Sequence, residues 1–172
     1  MNKEYHKILS LVFGLTILGG ILGFIFFHFF KEESVFFIER FKLLQGFFGI
    51  REYEEGMSVA YVLAMIFFGN LLSTFGYFGL GWLKASLPMG FITGFFLSVF
   101  LFSGTIRHSM AIPFSVYVLV FVEALYRVMA LSLGEYYAKN KLRLRLLVIG
   151  VITAIGLLFL FGVVYELFQI FS

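Results

Sequence analysis

Five long apolar runs leave this chain few ways to fold. They cover about residues 8–30, 58–81, 87–106, 112–134 and 146–171. Each reaches the roughly 20 residues that an α-helix, rising about 1.5 Å per residue, needs to cross a hydrocarbon layer of about 30 Å. In lipid, backbone N–H and C=O groups find partners only within the protein, so such a run closes its hydrogen bonds as a helix. The expected fold is an all-α, polytopic transmembrane helix bundle of five spans, a single integral membrane domain over residues 1–172. Composition agrees: 61% of the chain is hydrophobic and only 13% is charged. A soluble domain of this size could not hide so much apolar surface, whereas a bilayer covers it.

The first run is too long for the apolar core of a signal peptide, and no small-x-small cleavage site follows it, so it is expected to remain as a membrane anchor. Its Gly19, Gly20 and Gly23 allow close approach of another helix. Residues 31–57 differ in kind, holding six of the ten acids and four basic residues. Phe37, Ile38, Phe41, Leu44 and Phe48 recur there at helical spacing, with Glu39, Arg40, Lys42 and Gln45 on the other faces. That pattern predicts an amphipathic interfacial helix between spans one and two, followed by a charged turn at residues 51–56.

The second span carries Asn70, Ser73, Thr74, Tyr77 and Gly81 on one stripe, expected to face the bundle. Phe67, Phe68, Phe75 and Phe78 lie mostly off it. A short hairpin at residues 82–86 follows, with Ser86 as the expected N-cap and Pro88 in the first turn of the third span. Gly90 and Gly94, with Thr93 beside them, form a GxxxG element. Directly after a tight hairpin, it predicts close packing of spans two and three.

The fourth span is apolar except near its middle, where Glu123 precedes Arg127 by one helical turn, the favourable order for an intrahelical pair. A charge at a helix centre costs about 2.5–3.5 kcal/mol on insertion scales, so such residues usually face protein or a water-filled cavity. Val116, Leu119, Glu123, Tyr126, Arg127, Ala130 and Gly134 share one helical face. Two readings of the polar cluster of Asn70, Ser73, Thr74, Tyr77, Glu123, Tyr126 and Arg127 stay open. It locks helices together, with Gly81, Gly90, Gly94 and Gly134 as packing glycines. Alternatively, it binds an ion or an anionic headgroup in a small transporter or permease subunit, which with five spans would need a homodimer. Glu166 and Gln169, near the end of the fifth span, are expected at the interface and are assigned no chemistry.

Residues 135–145 read as the most basic loop, with Lys139, Lys141, Arg143 and Arg145. The positive-inside rule makes that side cytoplasmic. With five spans the N-terminal side of the chain is then cytoplasmic, the 31–57 segment external and the end of the fifth span external. Seven Lys/Arg fall inside and five outside, four of the latter among six Glu. The expected setting is the plasma membrane.

Several function classes are not expected. The chain has no Cys, which removes disulfides, thiolate metal sites and cysteine nucleophiles. It also has no Asp, and His6, His28 and His108 are scattered without metal-ligand spacing. No metal or other cofactor is expected. No GxSxG, HExxH or phosphate-cradling glycine loop occurs, so the chain reads as a non-enzyme. Its basic residues follow topology, without the patch that nucleic-acid binding requires. The lipid bilayer is the partner that composition implies, with a second copy or another membrane protein beside it.

Residues 67–134 resemble the stage II sporulation protein M family of integral membrane proteins. Asn70 takes the place of the family Asn in the second helix, Gly79 and Gly81 supply the glycines that follow, and Met89-Gly90-x-x-x-Gly94 takes the Asn-Gly-x-x-x-Gly position. Pro113 and residues 130–134 fit a later Pro-His-Gly-x-x-Glu element and its small-residue helix. The His and Gly of that element are absent, Met89 replaces an Asn, and Glu123 lies one turn from the family Glu, which falls nearest Leu119. The resemblance implies a non-enzymatic scaffold that recruits partners.

Overall fold

The computed structural model describes residues 3–47, 57–108, 112–140 and 146–171. For residues 41–47, 105–108 and 146–147 it describes the backbone alone. The charged turn at 51–56, Phe48, Ser109 and the basic residues Lys141, Arg143 and Arg145 lie outside the described residues, and the side chains of Phe41, Leu44 and His108 are likewise not described. Among the described residues there are six helices: α1 (Lys3–Phe29), α2 (Lys31–Phe47), α3 (Val59–Trp82), α4 (Ser86–His108), α5 (Phe114–Asn140) and α6 (Leu146–Phe171). All except α2 are long and apolar enough to cross a membrane. The protein is a polytopic, all-helical membrane protein, with the shorter α2 between its first two spans.

Local sequence accounts for the helix boundaries. Ser58 is extended and caps α3, its hydroxyl accepting from the Tyr61 N–H at 3.3 Å, as N-cap serines do. The other end of α3 closes on itself: Lys84 N–H donates to the Gly81 carbonyl at 2.8 Å and Ala85 N–H to that of Leu80 at 3.0 Å. This is the Schellman pattern, which places the residue after the cap in the left-handed region. Lys84, at φ 61°, occupies that position. The 82–86 hairpin is therefore built by the backbone, and Ser86 is the first residue of α4. Its hydroxyl does not cap the helix but goes to Glu135.

The expectation that spans two and three pack closely is corrected. α3 and α4 barely touch; α4 lies along α1, and α3 lies along α5. Both pairs are parallel and both close on glycine. A Cβ at Gly94 would strike the Thr16 carbonyl, and one at Gly19 the carbonyl of Phe91. In the other pair, Gly81 abuts the Leu131 carbonyl and Gly134 that of Phe78. Backbone-to-backbone approach this tight admits no side chain, and van der Waals contact at such seams drives association in lipid. Gly90 and Gly94 thus serve helix packing, but against α1.

α5 is the central helix, touching α1, α3, α4 and α6. Every residue from Ala130 to Tyr136 is buried. The expected end of this span at Gly134 is therefore also corrected: α5 continues to Asn140, and Glu135 sits inside the protein. α1 likewise begins earlier than residue 8, with Tyr5 in the core beside Tyr136. α2 packs against α4 and α1 through buried Ser34 and Ile38. Phe37 stacks on Phe96 with ring centroids 5.2 Å apart, while Glu39 and Arg40 stay exposed.

Candidate functional site

Asn70 lies eleven residues into α3, about 16 Å along the helix at 1.5 Å per residue, which puts it near the middle of the span. The stripe it leads turns this amide toward α5. The Arg127 Nη2 donates to Asn70 Oδ1 at 2.9 Å, and Nη1 donates to Glu123 Oε2 at 3.0 Å. Asn70 Nδ2 donates in turn to Glu166 Oε2 on α6 at 3.3 Å. One connected chain, Glu123–Arg127–Asn70–Glu166, thus ties α3, α5 and α6 together. The Arg127 and Glu123 side chains retain 13% and 16% of their exposure.

The amide orientation follows from chemistry. A guanidinium offers only donors, so the side of Asn70 that meets it must be the oxygen, and the NH2 group is left to face Glu166. Around this chain lie Tyr126, buried and in edge contact with Phe159 at 5.9 Å, and the Arg127 guanidinium carbon 5.6 Å from the Tyr126 ring centre. Arg127 Nε and Gln169 Nε2 are buried without a hydrogen-bond partner among the described residues.

The other residues of the predicted cluster separate into distinct roles. The Thr74 hydroxyl donates back to the Asn70 carbonyl at 2.7 Å, a bond within its own helix. Tyr77 stays near Tyr126 and Arg127 but makes its hydrogen bond with the Thr93 hydroxyl of α4 at 2.9 Å. Ser73 is half-buried on the same stripe, while Phe68 and Phe75 face outward. Leu119 and Val116 are partly buried below Glu123.

No protein-family profile, curated protein or solved structure matches this chain.

Sequence reasoning missed two participants. Glu166, expected at the interface without chemistry, is the far anchor of the polar chain. A signal existed: a carboxylate five residues inside the end of an apolar helix is costly unless partnered. Glu135, expected in the basic loop, is buried at 8% exposure. It accepts from the Ser86 hydroxyl and from Lys139 Nζ, pinning the start of α4 to the end of α5. Its i,i+4 spacing to Lys139 was the legible sign. Among the described residues, no group of three or more His, Cys, Asp or Glu gathers that could hold a metal ion.

Proposed function

We propose that this protein is a non-enzymatic scaffold of the membrane, of the stage II sporulation protein M type, in which the Glu123–Arg127–Asn70–Glu166 chain locks the α3–α5–α6 half. The observation that carries this reading is the guanidinium of Arg127, which bonds side chains on its own helix and on α3 at once. Both bonds are made within the protein, which suits a lock. The other half, α1 and α4, carries α2, whose exposed Phe36, Glu39 and Arg40 are the surface on which a membrane partner or a second copy would be recruited. α2 lies on the external side and the end of α5 on the cytoplasmic side, following the charge distribution.

The second reading, a small transporter or permease subunit, draws on the buried and unpartnered Arg127 Nε and Gln169 Nε2, donors that a bound substrate would satisfy. A double-mutant cycle separates the two. Glu123→Gln, Arg127→Gln and the double variant are compared for unfolding in detergent or bicelles. The lock predicts a clear loss in each single variant and partial recovery in the double, with a coupling of about 0.5–3 kcal/mol. Stability unchanged in all three variants would discard the lock and leave the site free for substrate.

A further inference from the structure

The polar chain holds two carboxylates and one guanidinium. α3 and α6 contain no Lys or Arg, and the other cation of α5, Lys139, is engaged by Glu135. With every group ionised, the chain would carry one surplus negative charge at the depth of Asn70, where the apolar surroundings oppose it. We infer that the network binds a proton on Glu166, so that the carboxyl facing Asn70 is a neutral acid within the membrane.

Two observations place the proton on Glu166, one against its neighbour Glu123 and one against a metal ion. Glu123 contacts the guanidinium directly at 3.0 Å, whereas Glu166 reaches it only through the neutral amide of Asn70. The second is what surrounds the carboxyl. Because Arg127 holds the amide oxygen, Asn70 presents nitrogen to Glu166. A metal cation needs oxygens around it and meets a donor there.

Among the described residues, the titratable and charged groups that face Glu166 are Glu123, Arg127 and Tyr126 from α5. Tyr165 and Gln169 flank it on α6. Arg127 is neutralised by Glu123, so Glu166 is the carboxyl left to take up the proton. This binding site uses the same chain of residues as the proposed lock, but it concerns Glu166 and does not depend on the strength of the Glu123–Arg127 pair.

Infrared difference spectroscopy on the protein in liposomes tests it, with wild type compared against Glu166→Gln. Gln keeps the shape and an oxygen acceptor for Asn70, so the fold is retained, and Glu135 is common to both samples and cancels. The expected result is a protonated-carboxyl carbonyl band in wild type at neutral pH, missing from Glu166→Gln and converting to carboxylate as the pH is raised. A wild-type spectrum without that band from mildly acidic to mildly alkaline pH overturns the proposal, as does a band that survives Glu166→Gln. Sodium or potassium removing the band at constant pH would make the site one for a metal cation and also overturn it. Failure of the lock is seen instead in the stability cycle, which leaves this band in place.

Discussion

Gly81 and Gly76 lie on the same helix, five residues apart, and the structure gives them opposite responses to one methyl group. At Gly76 nothing lies within 4 Å of an added Cβ. At Gly81 the same atom would fall on the Leu131 carbonyl oxygen, 2.9 Å from its carbon and 3.1 Å from the Glu135 nitrogen, against 3.4–4 Å for ordinary contact. These atoms are backbone of a buried helix and cannot rotate away, so α3 and α5 must separate by about 1 Å or more. A gap of about 0.5–1 Å forfeits a quarter to a half of each dispersion contact it opens; some 20 contacts of about 0.15 kcal/mol each then lose about 1 kcal/mol. Side chains forced off their rotamers bring the total into the usual overpacking range of about 1–3 kcal/mol.

The gain in helix propensity on replacing Gly by Ala, about 0.8–1.0 kcal/mol, is common to both variants and cancels when they are compared. Gly81→Ala should therefore be less stable than Gly76→Ala by about 1–3 kcal/mol. Trp82 is the single tryptophan, and its backbone nitrogen abuts Gly134 in the same seam, so its fluorescence reports directly on unfolding of this interface. Equal stability of the two alanine variants would refute the α3–α5 pairing and with it the placement of Asn70 against Arg127.

The remaining predictions concern the opposite end of α5 and the orientation. Glu135→Ala leaves the buried Ser86 hydroxyl without its acceptor and should cost about 1–3 kcal/mol, read by the same tryptophan unfolding curve. Glu135→Gln keeps an acceptor and should retain most of that stability, because Lys139 is 41% exposed and its ion pair is largely screened. Equal losses in the two variants would count against the Ser86 tether. The absence of Cys allows single-cysteine labelling: on right-side-out vesicles a membrane-impermeant maleimide should modify Arg40→Cys and spare Asn140→Cys, and the reverse pattern would invert the assigned orientation.

The spans were legible because their signal is local. A run of some 20 apolar residues closes its own backbone hydrogen bonds in lipid whatever its neighbours are. The Glu123–Arg127 pair was legible for the same reason, since four residues on a helix bring the two side chains together. So was the stripe that turns Asn70 inward. Helix pairing was not, because several glycine patterns were equally eligible. Gly150 and Gly156 on α6 and Gly69 and Gly76 on α3 face open space, while Gly19, Gly23, Gly90 and Gly94 close a seam. Nothing in one helix states which small face will meet which. The adjacency of α3 and α4 in the chain pointed to the wrong partner, because the Lys84 turn can connect helices that then pack elsewhere.

Glu135 shows the same limit for a single residue. Beside Lys139, Lys141 and Arg143 its charge reads as surface, and only the position of α5 at the centre of the bundle buries it. Sequence by itself determined that this protein crosses a membrane with five helices and that one of them carries an ion pair in its middle. Tertiary structure alone decided that Arg127 reaches Asn70 and, through it, Glu166, 96 residues away from Asn70 in the chain. Helix formation in a bilayer satisfies the backbone one segment at a time. A polar site assembled from three helices exists only once their packed faces have selected one another.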